Sequence, residues 1–133
     1  MKLALTELVD RFATAAPAAP SEIAAIEKFF NYAFPADYKA LLQTTNGLEG
    51  RTDRQYLVLW STQELMDLNT AYQVKEFVAD VIIFGSDGAE DAFGFDTSVP
   101  TVSIVKLPFI GMGYLPNEKL AGSFEAFLSS QGL

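Results

Sequence analysis

The sequence predicts an α+β fold in which helices come first, a mostly antiparallel β-sheet lies in the centre and a last helix closes the chain. Three observations predict this class. Apolar residues recur at helical spacing over the first third of the sequence, short alternating or β-branched runs fill the middle, and a serine-capped helical pattern ends it. The central sheet is therefore expected to be flanked by helices.

A single domain is expected from the length of 133 residues. Half of the residues are hydrophobic, and eleven Phe, five Tyr and one Trp residues argue against intrinsic disorder, because burial of aromatic rings offsets much of the ordering entropy. The expected domain spans residues 1–133. Within it, residues 1–19 are expected to form an N-terminal helix and an Ala/Pro tether, and residues 20–133 the core.

The first dozen residues predict a short amphipathic helix, because apolar residues including Leu5, Leu8 and Phe12 recur at near-helical spacing. The following segment, Ala13 to Pro20, is low in complexity and contains two prolines. It is expected to be a tether rather than a packed element.

Two further helices are predicted before any strand. Ser21 is a good N-cap for a helix that runs to about Asn31. The expected core-facing residues of this helix are Ile23, Ile26, Phe29 and Phe30. The second helix opens at Phe34-Pro35, where proline suits a first helical turn, and its apolar stripe consists of Tyr38, Leu41 and Leu42.

The second helix is expected to stop at Asn46-Gly47, because these residues suit a left-handed C-terminal cap. No other role is predicted for them. Gly47 to Asp53 is predicted to be a loop. Gln55 to Trp60 is rich in aromatic and branched residues, which predicts a buried strand.

A helix is predicted directly after this strand. Ser61 and Glu64 match a capping box, in which the serine caps the helix and the glutamate reaches back to the backbone N–H of the serine. The helix is expected to continue through roughly Asn69 or Tyr72.

The segment from Val81 to Asp96 predicts a β-hairpin with an acidic tip. Val81 to Phe84 is a β-branched and aromatic run, Gly85-Ser86-Asp87-Gly88 has the composition of a turn, and Asp91 to Asp96 alternates small or polar residues with phenylalanines. Glycine at positions 85 and 88 permits a positive φ, so the tip can fold back and hold several carboxylates in a small volume.

The last third of the chain predicts one more strand and one helix. Pro100 to Lys106 alternates apolar and polar residues and is expected to extend the sheet. Leu107 to Pro116 is irregular, because glycines and prolines interrupt its apolar residues. Ser123 is the expected cap of a final helix that docks Phe124 and Phe127 on the sheet.

The formal charge of −8 argues against a nucleic-acid ligand, because phosphate binding requires a surface of Lys and Arg. The charge is uneven, with no basic residue between Lys75 and Lys106. Six acids lie there, Glu76, Asp80, Asp87, Glu90, Asp91 and Asp96. Such a surface attracts a cationic partner, in a manner that weakens with salt. The alternative is that the net charge simply keeps a small domain soluble.

The absence of cysteine and histidine closes most enzyme mechanisms, since thiolates, imidazole bases and the commonest metal ligands are missing. No apolar run is long enough to span a bilayer, and acids appear early in the N-terminal segment, so neither membrane insertion nor a signal peptide is expected. The expected location is the cytoplasm, and no cofactor is expected.

The acidic hairpin and the aromatic strand could each carry a specific site. The acids do not have the spacing of an EF-hand, and nothing sets two carboxylates apart as the acid and base of a glycosidase. The glycines at 85 and 88 are followed by acids rather than lysine, which argues against a phosphate loop. Tyr56 and Trp60 are interpreted as core residues, although both types are common in binding hot spots.

The chain resembles the SUKH superfamily, which contains the yeast Smi/Knr cell-wall regulators and many bacterial proteins. The resemblance covers about residues 20 to 130. It rests on the order and spacing of Ile23 to Glu27, Phe34-Pro35-Ala36-Asp37-Tyr38, Leu41, Asn46-Gly47, Leu59-Trp60 with Glu64-Leu65, Phe84-Gly85-Ser86-Asp87-Gly88, Phe93-Gly94-Phe95-Asp96, Pro100 and Gly122-Ser123-Phe124-Glu125-Ala126-Phe127-Leu128. The chain differs from the usual pattern at Ala89-Glu90-Asp91, where more glycine is common.

Bacterial SUKH proteins serve mainly as immunity proteins that bind and neutralise a toxin, often a nuclease or a deaminase. The resemblance therefore implies a non-catalytic, protein-binding domain that occludes a basic toxin, and an acidic surface suits such a partner. The alternative is a Smi/Knr-like regulatory scaffold or assembly factor that binds housekeeping proteins. An enzyme that uses carboxylates or a bound metal is a third possibility, and the oligomeric state is left open.

The acids expected to face the partner are Glu49, Asp53, Asp87, Glu90, Asp91 and Asp96. For each of them, the alternative is a solvated surface charge. No catalytic residue and no metal ligand is predicted.

Overall fold

The computed structural model describes residues 10–133. Its strands are β1 (Phe12–Thr14), β2 (Leu48–Arg51), β3 (Tyr56–Leu59), β4 (Val81–Ser86), β5 (Asp91–Asp96), β6 (Ile104–Pro108) and β7 (Glu118–Ala121). Its helices are α1 (Pro20–Phe30), α2 (Ala36–Thr44), α3 (Thr62–Ala71), α4 (Val74–Phe77) and α5 (Phe124–Ser130). The predicted α+β class is confirmed.

Within residues 10–133, seven strands form one sheet in which each strand pairs with its sequence neighbours, in the order β1 to β7. All six pairings are antiparallel. Because consecutive strands alternate in direction, the β2–β3, β4–β5 and β6–β7 connections lie at one end of the sheet, and the β5–β6 connection lies at the other.

The central hairpin is confirmed, but its turn begins two residues later than predicted. β4 continues through Ser86, so the connection consists of residues 87–90. Gly85 belongs to the strand, next to an irregularity in the β4–β5 register. A Cβ atom at Gly85 would clash with the carbonyl oxygen of Val58, so glycine serves close strand approach there. Gly88 has a φ of +79° and meets the turn requirement.

The middle of the sheet is covered by a cluster of aromatic rings. The ring centroid of Phe84 lies 4.8 Å from that of Phe95, and Tyr38 lies 5.1 Å from Phe95 and 5.0 Å from Phe124. Phe127 packs edge-on against Phe84 at 5.4 Å. Helices α2 and α5 therefore bury their predicted apolar residues against the central hairpin.

Two predicted helix caps are confirmed. In α3, the Ser61 hydroxyl accepts a hydrogen bond from the backbone N–H of Glu64 at 3.1 Å, and the Glu64 carboxylate accepts one from the N–H of Ser61 at 2.9 Å. In α5, the Ser123 hydroxyl accepts from the N–H of Ala126 at 3.0 Å. These caps satisfy donors that a helix N-terminus leaves unpaired.

Helix α1 differs from its prediction in two details. It is capped at Ala19 instead of Ser21, and the Glu22 carboxylate accepts a hydrogen bond from the backbone N–H of Ala19 at 2.8 Å. Phe29 does not face the core, since 54% of its surface is exposed. Ile23 and Ile26 are buried as predicted.

The prediction of a tether from Ala13 to Pro20 was wrong, because this segment packs against the domain. Residues 12–14 form β1, which pairs with β2. Further along, the N–H of Ala15 donates to the Thr45 hydroxyl at 2.9 Å, and the buried Ala18 donates to the carbonyl of Leu42 at 2.8 Å. Most of the predicted first helix lies outside the described residues, and Phe12, assigned to it, is a strand residue.

Four other elements depart from the predictions. Gly47 to Asp53 is not simply a loop, because it contains β2, which is paired on both sides. The predicted strand from Pro100 begins only at Ile104. β7 and the one-turn helix α4 were not predicted, since both are four residues long and carry no clear periodicity.

Two asparagine side chains join elements that are distant in sequence. Asn46 is more than a helix stop, because its amide accepts from the N–H of Thr62 at 2.8 Å and donates to the Thr62 hydroxyl at 3.1 Å. The buried Asn69 of α3 accepts from the N–H of Ile83 at 2.9 Å and donates to its carbonyl at 2.8 Å. β3 pairs with Gly85 and Ser86 of β4, and Asn69 supplies the hydrogen-bond partners of Ile83 further along the same strand.

Candidate protein-binding surface

Three of the predicted acids, Asp87, Glu90 and Asp91, lie together at the tip of the β4–β5 hairpin. The Asp87 carboxylate accepts hydrogen bonds from the backbone N–H groups of Ala89 at 2.9 Å and Asp91 at 3.1 Å. The N–H of Asp87 also donates to the carbonyl of Asp91 at 3.0 Å. The turn is therefore built around the Asp87 side chain, which fixes where the neighbouring charges lie.

The other two tip acids differ in how much of their charge is compensated. Glu90 is exposed, and its carboxylate makes no hydrogen bond or ion pair with any residue in the range 10–133. One carboxylate oxygen of Asp91 lies 4.0 Å from the Lys106 ammonium, which also lies 3.8 Å from Glu118. A partly exposed lysine shared by two acids neutralises little of the local charge.

Glu49 is joined to the hairpin turn through Tyr56. The Tyr56 hydroxyl donates a hydrogen bond of 2.5 Å to the Glu49 carboxylate. Gly88 in the hairpin turn lies against the Tyr56 ring, with no room for a Cβ atom. The hydrogen bond to Glu49, followed by desolvation and the carboxylate charge, raises the pKa of Tyr56, so the phenol stays neutral. The tip surface is defined as Glu49, Asp87, Glu90 and Asp91.

Asp53 lies in the β2–β3 connection, at the same end of the sheet, but it is engaged elsewhere. Its carboxylate lies 3.4 Å from the Arg11 guanidinium, and its side chain lies close to Gly132. The ion pair is exposed, so it offsets the charge of Asp53 without contributing much stability. Asp53 therefore shares only the end of the sheet with the tip surface and is not counted in it.

Asp96 is separated from the tip surface by the length of β5, about 17 Å for five residue steps. Its carboxylate accepts hydrogen bonds from the N–H of Ser98 at 2.9 Å and from the Ser98 hydroxyl at 2.6 Å. This acid organises the β5–β6 connection at the far end of the sheet. The six predicted acids thus do not form one cluster.

The predicted acids do not assemble a metal site within the described residues. Among residues 10–133, no group of three or more Asp or Glu side chains could hold a metal ion. A cleft of about 400 Å³ lies between the end of α1, the α3–α4 junction and the start of β4. None of the six predicted acids lines this cleft, whose titratable residues are Lys75 and Glu76. No helix of the described chain is both long and apolar enough to cross a membrane.

The sequence predictions missed a group of exposed apolar side chains. They lie in the β6–β7 connection and around α4, and the group consists of Tyr72, Phe77, Ile110, Tyr114 and Leu115. The only signal was that the irregular segment Leu107 to Pro116 keeps its large apolar residues without strand or helix periodicity. The interpretation of Tyr56 as a core residue was wrong, because its side chain is exposed, whereas Trp60 is buried as predicted.

Comparison with protein families gives one match. The model of a family described as SMI1 / KNR4 family (SUKH-1) matches residues 17–130. The matched range contains the whole tip surface and every strand from β2 to β7. No curated protein matches the sequence.

Proposed function

The chain belongs to the SMI1 / KNR4 family (SUKH-1), and we propose that it is a cytoplasmic immunity protein that binds and occludes a basic toxin domain. The proposed mechanism needs no catalytic group. The chain covers the substrate groove of a nuclease or deaminase with its own carboxylates and so excludes the substrate. The tip surface is the part of the molecule that would enter the groove.

The feature that supports this proposal most strongly is the set of three acids in the β4–β5 turn, Asp87, Glu90 and Asp91, to which Glu49 is joined through Tyr56. A groove that binds nucleic acid carries lysine and arginine side chains that contact phosphates. Carboxylates at the end of a hairpin can pair with the same side chains. The net charge of −8 adds a long-range attraction that speeds the encounter.

The geometry of the β4–β5 turn holds its carboxylates in position before a partner binds. Since Asp87 is held by two backbone N–H groups, the tip loses little conformational freedom on binding. Glu90 has no partner to give up within the described chain. Lys106 contacts Asp91 only at 4.0 Å, so a partner's arginine can displace it at small cost.

The test is recovery of the partner from a lysate of the native cells at low and at high salt. The bait is the wild-type chain, compared with a tip variant carrying Glu49→Gln, Glu90→Gln and Asp91→Asn. Asp96→Asn is the control for position, because it removes an acid at the far end of the sheet. The expected result is a basic protein that wild type and the control retain at low salt and the tip variant does not.

The recovered protein is then expressed in cells with and without this chain. Under the proposal, it stops growth when expressed alone, and wild-type chain restores growth. If the recovered partners are harmless housekeeping proteins, the immunity proposal fails and the Smi/Knr-like scaffold takes its place. If the tip variant retains the toxin as well as wild type does, occlusion by these carboxylates is wrong.

A further inference from the structure

Five large apolar side chains are exposed in one region beside the tip surface. Their exposed fractions are 94% for Ile110, 86% for Tyr114, 69% for Leu115, 54% for Phe77 and 44% for Tyr72. We call this group the loop surface. Isolated exposed apolar residues are ordinary, but a group of this size on a small domain is typical of an interaction site.

The loop that carries three of these residues is held against the domain. The Phe109 ring packs on the Tyr72 ring with their centroids 4.8 Å apart, and Met112 is buried. Gly113 passes so close to the carbonyl of Phe77 that a Cβ atom would clash with it. The N–H of Tyr114 donates to the carbonyl of Gly111 at 3.0 Å. These contacts keep the loop beside α4, while Ile110, Tyr114 and Leu115 are exposed.

The loop surface is continuous with the tip surface. The backbone N–H of Phe109 donates a hydrogen bond of 3.0 Å to the carbonyl of Glu90, and Ile110 follows directly. Asp91 pairs with Pro108 at the end of β6, immediately before the loop. A partner that contacts Glu90 and Asp91 therefore also meets Ile110.

We propose that the loop surface is the centre of the partner interface and the tip surface its acidic rim. This inference rests on the proposed function and adds the chemistry of the partner. The occupant is a protein domain that presents an apolar patch bordered by lysine or arginine on one side. An apolar centre with a polar border is the usual anatomy of a protein interface, and large apolar anchors supply most of its affinity.

Charge argues against two other occupants. A second copy of the chain also carries a net charge of −8, so pairing two loop surfaces would bring together two strongly acidic molecules. An anionic lipid surface is repelled by the carboxylates of Glu90 and Asp91 beside the loop. A protein with a basic border gains from the same carboxylates.

The test is calorimetric titration of the protein recovered from the native lysate, purified, into variants of this chain over a range of salt concentrations. The loop variant is Ile110→Ser with Leu115→Ser. Val99→Ser is the matched control, because Val99 is an exposed apolar residue in the β5–β6 connection at the far end of the sheet. Thermal melting checks that all variants fold.

The two surfaces predict different responses. Loss of two apolar anchors weakens binding at least about tenfold at every salt concentration and leaves the salt dependence unchanged. The tip variant Glu49→Gln, Glu90→Gln, Asp91→Asn weakens binding at low salt and flattens the salt dependence. Val99→Ser binds as wild type does.

The outcomes separate this inference from the proposed function. If the tip variant loses binding and the loop variant does not, the loop surface is not the centre and the inference fails alone. If neither variant loses affinity, or if no protein is recovered, both proposals fail. Sedimentation of the chain as a dimer that Ile110→Ser dissociates, or its binding to phosphatidylserine vesicles through the loop, also overturns the inference.

Discussion

The two parts of the β4–β5 hairpin, its body and its tip, use the same pair of strands for different purposes. In the body, Phe84, Phe93 and Phe95 are buried and pack against aromatic rings from α2 and α5. At the tip, Asp87 lies three residues after Phe84 and Asp91 two residues before Phe93, and three of the five residues from Asp87 to Asp91 are acidic. Burial of the body stabilises the fold, and the tip presents charge at little cost to stability. The two functions are therefore separable by mutation.

The largest expected effect is in the hairpin body. Phe95→Ala removes a fully buried ring that contacts Phe34, Tyr38 and Phe84. We expect it to lower the free energy of unfolding by about 3–5 kcal/mol, from lost burial and the cavity left behind. Urea denaturation measures this change. A loss below about 1 kcal/mol would mean that the body is not the stabilising half of the hairpin.

The next effect concerns Ile83 of β4, which lies beyond the residues paired with β3 and whose backbone groups bond to Asn69 instead. Asn69→Leu leaves the N–H and C=O of Ile83 without their side-chain partner, at about 1–3 kcal/mol for each group. Gln63→Leu on the exposed side of the same helix is the control and should change stability by less than about 0.5 kcal/mol. Equal effects of the two substitutions in urea denaturation would contradict this role of Asn69.

A smaller effect is expected at the tip. Asp87→Ala removes the acceptor for two backbone N–H groups and should cost about 1 kcal/mol, whereas Asp87→Asn keeps an acceptor and should cost less. Denaturation of both variants checks the difference. If alanine and asparagine are equally destabilising, the carboxylate does not organise the turn through these hydrogen bonds.

The smallest effect is expected at a polar atom within the aromatic core. The Tyr38 hydroxyl is buried and has no hydrogen-bond partner among residues 10–133. Tyr38→Phe should therefore leave the free energy of unfolding unchanged or raise it by up to about 1 kcal/mol. A loss of more than about 1 kcal/mol in urea denaturation would show that the hydroxyl is stabilising.

The same substitution has a pH signature. Burial raises the pKa of Tyr38 above its ordinary value of 10.0, so the folded chain keeps the phenol protonated where the unfolded chain ionises it. The contribution of this raised pKa to the free energy of unfolding is fully present below about pH 10 and is lost as the pH rises above it. Stability of Tyr38→Phe should fall less steeply than that of wild type above about pH 10. Identical alkaline profiles would contradict the burial of this phenol.

The sequence predicted elements whose determinants are local. The capping box of Ser61 and Glu64 lies within four residues, and the aromatic alternation of Phe93 and Phe95 lies within one strand. β1 was missed because Ala13 and Thr14 become a strand only when β2 lies beside them. The role of Asn69 was missed because its partner, the backbone of Ile83 in β4, is fourteen residues away in the sequence.

The candidate surface was predictable in composition but not in geometry. The block of acids between Lys75 and Lys106 located the hairpin tip. Which other acids join it depends on strand register, since Glu49 meets the tip through Tyr56 and Asp96 lies at the far end of β5. The loop surface was missed because exposure of Ile110 and Tyr114 follows from the packing of the loop rather than from any sequence period.

The most direct test is the association rate with the recovered partner, measured by stopped flow at increasing salt. Wild type and Asp96→Asn are expected to associate fast, and their association rates should fall steeply as salt rises. The tip variant Glu49→Gln, Glu90→Gln, Asp91→Asn is expected to associate more slowly and with little dependence on salt, although its free energy of unfolding matches that of wild type. A tip variant that associates as fast as wild type, with the same salt dependence, would contradict the claim that the hairpin tip carries the binding charge.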